Sequence, residues 1–116
     1  MTDSLNDLAR QLDQFARERD WKPFHSPKNL AAALSVEAGE LLEHFQWLTE
    51  AQSRALEPAQ RDAVGAEIAD VLLYLIQLSH ELGIDPVAAA QHKLQVNARR
   101  FPVDSVQGGR RRQDDI

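Results

Sequence analysis

Val64-Gly65-Ala66-Glu67-Ile68-Ala69-Asp70-Val71-Leu72-Leu73-Tyr74-Leu75-Ile76 is the stretch that decides how this chain folds. Its apolar residues do not alternate as a strand requires. They recur at helical spacing, and the spacing predicts a helix over residues 59–82 that stops at Gly83, a natural C-cap. Val64, Ile68, Val71, Leu75 and Leu82 form one stripe along it, with Glu67 at the border and Asp70 and Tyr74 on the same flank. Leu73 and Ile76 make the far side apolar too. A helix that is apolar on two sides is buried on two sides, and 116 residues can hardly cover both, so a second subunit is expected.

Three more helices extend outward from this one. Residues 4–19 carry Leu5, Leu8, Leu12 and Phe15 at helical spacing. After a short connection, Ser26 makes an N-cap with Pro27 at the first helical position, opening a helix expected to reach Trp47 or Leu48. Its Leu30, Leu34, Leu41, Phe45 and Leu48 share a sector of about 60°, with Glu37 at the edge of that sector and Glu40 flanking it. Residues 49–58 read as a polar linker. Asp85 caps a fourth helix, Pro86 opens it and Pro102 ends it. The fold class is therefore all-α, a four-helix bundle completed by oligomerisation. One domain is expected over residues 1–103, with a disordered tail over 104–116.

Composition narrows the function. A net charge of −5 carries no fold-wide basic footprint for nucleic acid, and the single run Arg110-Arg111-Arg112 is followed at once by Asp114 and Asp115. With no cysteine, neither a disulfide framework nor a Cys-based zinc site is available. The first residues lack the basic and apolar regions of a secretory leader, and no apolar run is expected to cross a membrane. These features predict a cytoplasmic protein.

The candidate chemistry lies in two acidic pairs, Glu37 with Glu40 and Glu67 with Asp70. Each pair is spaced i, i+3, so each shares one helix face. Carboxylates in or beside an apolar stripe are costly unless compensated. Two antiparallel helices would bring the pairs together, where four carboxylates repel and hold protons more tightly. A hard divalent cation, Mg²⁺ or Mn²⁺, relieves this and leaves positions for water and a phosphate substrate. Ordinary solvated or salt-bridged acids are the competing reading of the same spacing.

The segments Glu37-Ala38-Gly39-Glu40-Leu41-Leu42-Glu43-His44-Phe45-Gln46-Trp47 and Glu67-Ile68-Ala69-Asp70-Val71-Leu72-Leu73-Tyr74 together resemble the MazG-like nucleotide pyrophosphohydrolases, most closely their dCTP pyrophosphatase branch. Supporting segments are Glu18-Arg19-Asp20-Trp21, Phe24-His25 with Pro27-Lys28-Asn29-Leu30, and residues 93–102. The resemblance implies Mg²⁺-dependent hydrolysis of a (d)NTP, dCTP-like pyrimidine deoxynucleotides foremost, to (d)NMP and pyrophosphate in nucleotide-pool house-cleaning. It implies a homo-oligomer, with a tetramer favoured over a dimer. It assigns Glu37, Glu40, Glu67 and Asp70 as metal ligands and catalytic residues. Trp21, Trp47 and Tyr74 would lie near base and sugar, His25 would also bind the substrate, and Lys93, Asn97 and Arg100 would lie within reach of the phosphates.

Two positions depart from the pattern. Val36 stands where many members carry an acid, and Leu12 stands where the dCTP branch carries a base-contacting His, which weakens the expected selectivity for cytosine. The residues also admit plainer roles. Either indole serves as a peripheral core anchor as readily as a stacking face, Tyr74 suits an interface, and His25 and Asn29 suit holding the loop before the second helix. Lys93, Asn97 and Arg100 suit a solvated helix face. Two other functions fit the same acids: a phosphoribosyl-ATP-type pyrophosphohydrolase, and a helical module that binds nucleotide or metal without turnover.

Overall fold

Helix ends set the layout, and several are chemically explicit. The computed structural model describes residues 2–106. It comprises α1 (Thr2–Glu18), a 3-10 turn (Lys22–Phe24), α2 (Pro27–Glu43), α3 (Glu50–Ser53), α4 (Pro58–Glu81), α5 (Pro86–Arg100) and α6 (Val103–Val106), with no strand among the described residues. The all-α expectation is met. Helices α1 to α4 belong to one compact unit that ends at Ile84, and α5 and α6 belong to a second that begins at Asp85. Of the expected tail, residues up to Val106 form the short α6, while the rest, with the Arg110-Arg112 run, lies outside the described residues.

α1 ends in a turn that the sequence did not advertise. Asp20 takes a left-handed conformation with φ of 56°. Trp21 N–H then donates to Ala16 O at 2.9 Å and Asp20 N–H to Arg17 O at 3.2 Å, the double closure of a Schellman motif. Gly83, with φ of 67°, closes α4 the same way through Ile84 N–H to Ser79 O and Gly83 N–H to His80 O. Asp tolerates this region because its short polar side chain bonds locally, whereas most L-residues strain there.

α2 starts as expected: Ser26 Oγ accepts from Asn29 N–H at 3.2 Å, and Pro27 opens the helix. It ends earlier than expected, at Glu43. His44 N–H and Phe45 N–H turn back to Leu41 O and Leu42 O, which tightens the chain out of the α-helix. Trp47 therefore stands beyond the helix. The linker holds a short helix of its own, α3, because Thr49 and Gln52 form a reciprocal capping box.

α4 packs chiefly on α2 and next on α1. Leu30, early in α2, shares a small cavity with Gln77 and His80, late in α4. Glu37, further along α2, meets Glu67 and Asp70, nearer the start of α4. The two helices therefore run antiparallel. Among the described residues, Ala16, Leu30, Val64 and Ile76 are the buried apolar ones. The expected stripe of α4 is only partly inside: Val64 is buried and Val71 half-buried, but Ile68, Leu75 and Leu82 are 52%, 42% and 51% exposed. Ile76, from the opposite side, is buried instead. The neighbouring helices meet α4 to one side of the stripe, so its centre faces out.

By length and composition alone α4 suffices to cross a bilayer, contrary to the expectation that no segment would. Asp70 lies within it, however, and an Asp at a membrane centre costs about 2.5–3.5 kcal/mol. Its packing on α2 and α1 makes it the central helix of a bundle.

The Asp20 turn yields a test. Asp20→Gly should leave stability unchanged or raise it slightly, while Asp20→Val should cost about 1–2 kcal/mol, read by urea unfolding. Equal stability of the two variants would show that the turn is unstrained.

Candidate functional site

The antiparallel packing turns two i, i+3 pairs into one cluster. A carboxylate oxygen from each of Glu37, Glu67 and Asp70 lies within 4.8 Å of the others. Glu37 Oε2 and Glu67 Oε2 are buried and have no hydrogen-bond donor. Two buried acceptors without a donor are expensive, and a cation is what a donor set of hard oxygens fits. Glu40 is exposed and falls outside the three-oxygen group.

Mutual repulsion shows in the proton affinities. Glu37 is held above the ordinary carboxylate range, first by the proton it would share with Glu67, then by burial, with the charges of Glu67 and Asp70 adding. Glu40 is also raised, first by the proton it would share with Glu37, then by the charge of Glu37 and by partial loss of hydration. Glu40 thus belongs electrostatically to the cluster from its margin.

Asp70 also lines a cavity of about 170 Å³ together with Leu12, Phe15, Trp21, His25, Leu73, Tyr74 and Gln77. One end of that cavity is therefore anionic and the rest largely apolar and aromatic. Trp21 is placed by the α1 terminal turn, where its ring meets Phe15 edge-on at 5.6 Å, the contact that commonly accompanies a Schellman motif. His25 also meets Trp21 edge-on, at 6.4 Å. Asn29 is structural: its side chain donates to Phe24 O at 2.9 Å and ties the loop to α2.

An ion-pair group holds this loop on the bundle. Lys22, beside Trp21, bridges Asp13 of α1, at 2.9 Å, and Glu81 of α4. Arg17 pairs with the other oxygen of Asp13 at 2.5 Å. The Arg17 hydrogen bond and then the Lys22 ammonium hold the Asp13 carboxyl down to about 2, and Glu81, then Asp13, raises Lys22.

Of the residues expected at base and sugar, Trp21 and Tyr74 line the cavity, as does His25 of the expected substrate-binding set, and Trp47 does not; Trp47 is 87% exposed. Lys93, Asn97 and Arg100 belong to α5, in the other unit, where Lys93 and Arg100 are exposed and Asn97 is half-buried. Sequence reading missed Gln77, Phe15 and Leu73 as cavity residues. Spacing alone marks Gln77, which stands three residues beyond Tyr74 and seven beyond Asp70 on one helix face.

Known proteins resemble this chain in sequence and fold. The MazG-like family model matches residues 32–115. The chain is 39% identical to dCTP pyrophosphatase 1 of Rattus norvegicus, a match that covers 97% of this chain and 68% of the relative, and 37% identical to dCTP pyrophosphatase 1 of Homo sapiens over the same shares. The crystal structure of a pyrophosphatase from Archaeoglobus fulgidus DSM 4304 superposes with a TM-score of 0.80 at 37% identity, covering 85% of this chain and 93% of that one. Fold, acidic cluster and these likenesses define an all-helical enzyme of the pyrophosphatase class. The chain belongs to the MazG-like family.

The opposite shifts within the bundle predict a stability maximum in cation-free buffer. Asp13 stabilises the fold fully above its ordinary 3.8, and that contribution is lost as pH falls through about 2. Glu37 and Glu40 bind protons more tightly folded than unfolded, so stability falls as pH rises above their ordinary 4.5. Melting temperatures in EDTA should peak near pH 4–5, and Mg²⁺ should raise them and flatten the upper limb. An upper limb already flat in EDTA would contradict the raised affinities.

Proposed function

We propose that this chain is a Mg²⁺-dependent nucleoside triphosphate pyrophosphohydrolase that converts (d)NTP, pyrimidine deoxynucleotides such as dCTP foremost, to (d)NMP and pyrophosphate. The observation that carries the reading is the trio of carboxylates with two donorless buried oxygens, opening through Asp70 onto an aromatic-walled cavity. The names of its relatives support the pyrimidine preference.

In this reading Glu37, Glu67 and Asp70 hold Mg²⁺ or Mn²⁺, and Glu40 joins from the margin. The bound cation supplies charge against the phosphoryl oxygens and a lowered pKa for attacking water. The chain's own residues do the rest. A carboxylate of the quartet not spent on ligation takes the proton of the water that attacks phosphorus. Trp21 and Tyr74 enclose base and sugar, and base stacking is worth about 1–3 kcal/mol. His25, Trp47, Lys93, Asn97 and Arg100 complete the proposed binding set, the last three as a cationic and amide edge for phosphates. The cysteine-free composition suits work in the reducing cytoplasm.

Pyrophosphate release across a nucleotide panel with Mg²⁺, including phosphoribosyl-ATP, tests the reading. Asp70→Asn and Glu40→Gln should each lower turnover by about a hundredfold or more while circular dichroism keeps the helical signal, since removed transition-state contacts act on kcat. Wild-type rates in both variants would remove the site from the quartet, and preference for phosphoribosyl-ATP would redirect the function.

We further propose a homo-oligomer, a tetramer before a dimer. Ile68, Leu72 and Leu75 leave an apolar face of α4 exposed, with Val36 and Leu42 exposed on α2, more than a lone chain should show to water. Light scattering should give a tetramer, and Ile68→Glu with Leu75→Glu should dissociate it. A stable, active monomer at micromolar concentration would overturn the assembly.

A further inference from the structure

We propose that Gln77 reads the Watson–Crick edge of the substrate base and that its carboxamide, free to turn over, accepts both cytosine and thymine or uracil. The inference rests on the proposed function and adds the residue that sets the choice of base. Gln77 is half-buried in the wall of the Asp70 cavity, beside apolar Leu12 and Leu73. Its carboxamide makes no hydrogen bond to any described residue, unlike nearby Ser79, whose hydroxyl donates to Leu75 O at 2.9 Å. The amide thus keeps its donors and acceptor free of partners among the described residues, and a ligand in the cavity that brings matching groups can pair with them.

Distance fits the assignment. Seven residues separate Asp70 from Gln77 on α4, a rise of about 10 Å. Phosphates held at the acidic end place the far end of a nucleotide about that distance away, with Tyr74 between. Stacking on Trp21 tolerates any base, so discrimination must come from polar groups at the base edge. Leu12 and Leu73 supply none. An amide presents one acceptor beside one donor. Cytosine offers its 4-amino donor beside the N3 acceptor, and the amide meets both. Thymine and uracil offer the O4 acceptor beside the N3–H donor, and the amide turned by 180° meets them equally.

The pattern of rates tests this. Wild-type enzyme should hydrolyse dCTP and dTTP with kcat/KM values within about tenfold of each other. Gln77→Glu keeps an acceptor and loses the donor, so it keeps one contact to either base, sets a carboxylate against the acceptor of each, and should raise KM for dCTP and dTTP alike by about tenfold or more. Gln77→Leu should raise KM for both with kcat little changed, because the contact is made equally in ground and transition states. Circular dichroism and melting temperature confirm that both variants fold. Unchanged KM values in both folded variants, with turnover intact, would overturn the role of Gln77 and leave the proposed function standing. A wild-type preference for dCTP above a hundredfold would overturn the turning amide. No nucleotide turnover by the wild type would overturn the proposed function and this inference with it.

Discussion

Like charges held together against their repulsion are the constraint on which this structure depends. Glu37 on α2 and Glu67 and Asp70 on α4 converge within 4.8 Å, and two of their oxygens have been taken from water without receiving a donor. Nothing local to either helix favours that arrangement. It persists because α2 and α4 share the most extensive helix contact among the described residues, anchored at Leu30 and Val64 inside the core. Apolar burial of this kind contributes about 25 cal/mol per Å² and offsets the cost of crowding the acids.

The opposite end of the bundle solves the converse problem. Asp13, Arg17, Lys22 and Glu81 alternate in sign, so each charge there has a partner. Exposed pairs add little stability one at a time. Their effect is positional: the chain at Lys22 is tied to both α1 and α4, next to the left-handed Asp20 that turns Trp21 towards Phe15. The aromatic wall of the cavity is thus set by backbone hydrogen bonding and ion pairing, while the acidic end is set by helix packing. The cavity connects the two through Asp70, Tyr74 and Gln77, which share one flank of α4.

Much of the fold was legible because its signals are local. Ser26 with Pro27, Asp85 with Pro86, and Gly83 each act within a turn of their own position. The two acidic pairs were legible for the same reason, since i, i+3 spacing places carboxylates on one face whatever the helix packs against. The early end of α2 at Glu43 was not, because residues 44–48 keep a helical apolar pattern while their backbone tightens. Asp20 was missed because Gly, not Asp, is the usual sign of a left-handed turn.

The sequence by itself determined the four long helices, the faces that carry acids and aromatics, and the family. Tertiary structure alone decided which of those faces meet. Spacing along a helix fixes the angle of a side chain about its own axis, but the rotation of one helix against its neighbour follows from how their side chains interlock. That rotation puts Ile76 inside and leaves Ile68 and Leu75 out, and it gathers Glu37 with Glu67 and Asp70 while leaving Glu40 at the edge. It also opens the Asp70 cavity to Gln77, a residue with no signature in the sequence except its place on the helix.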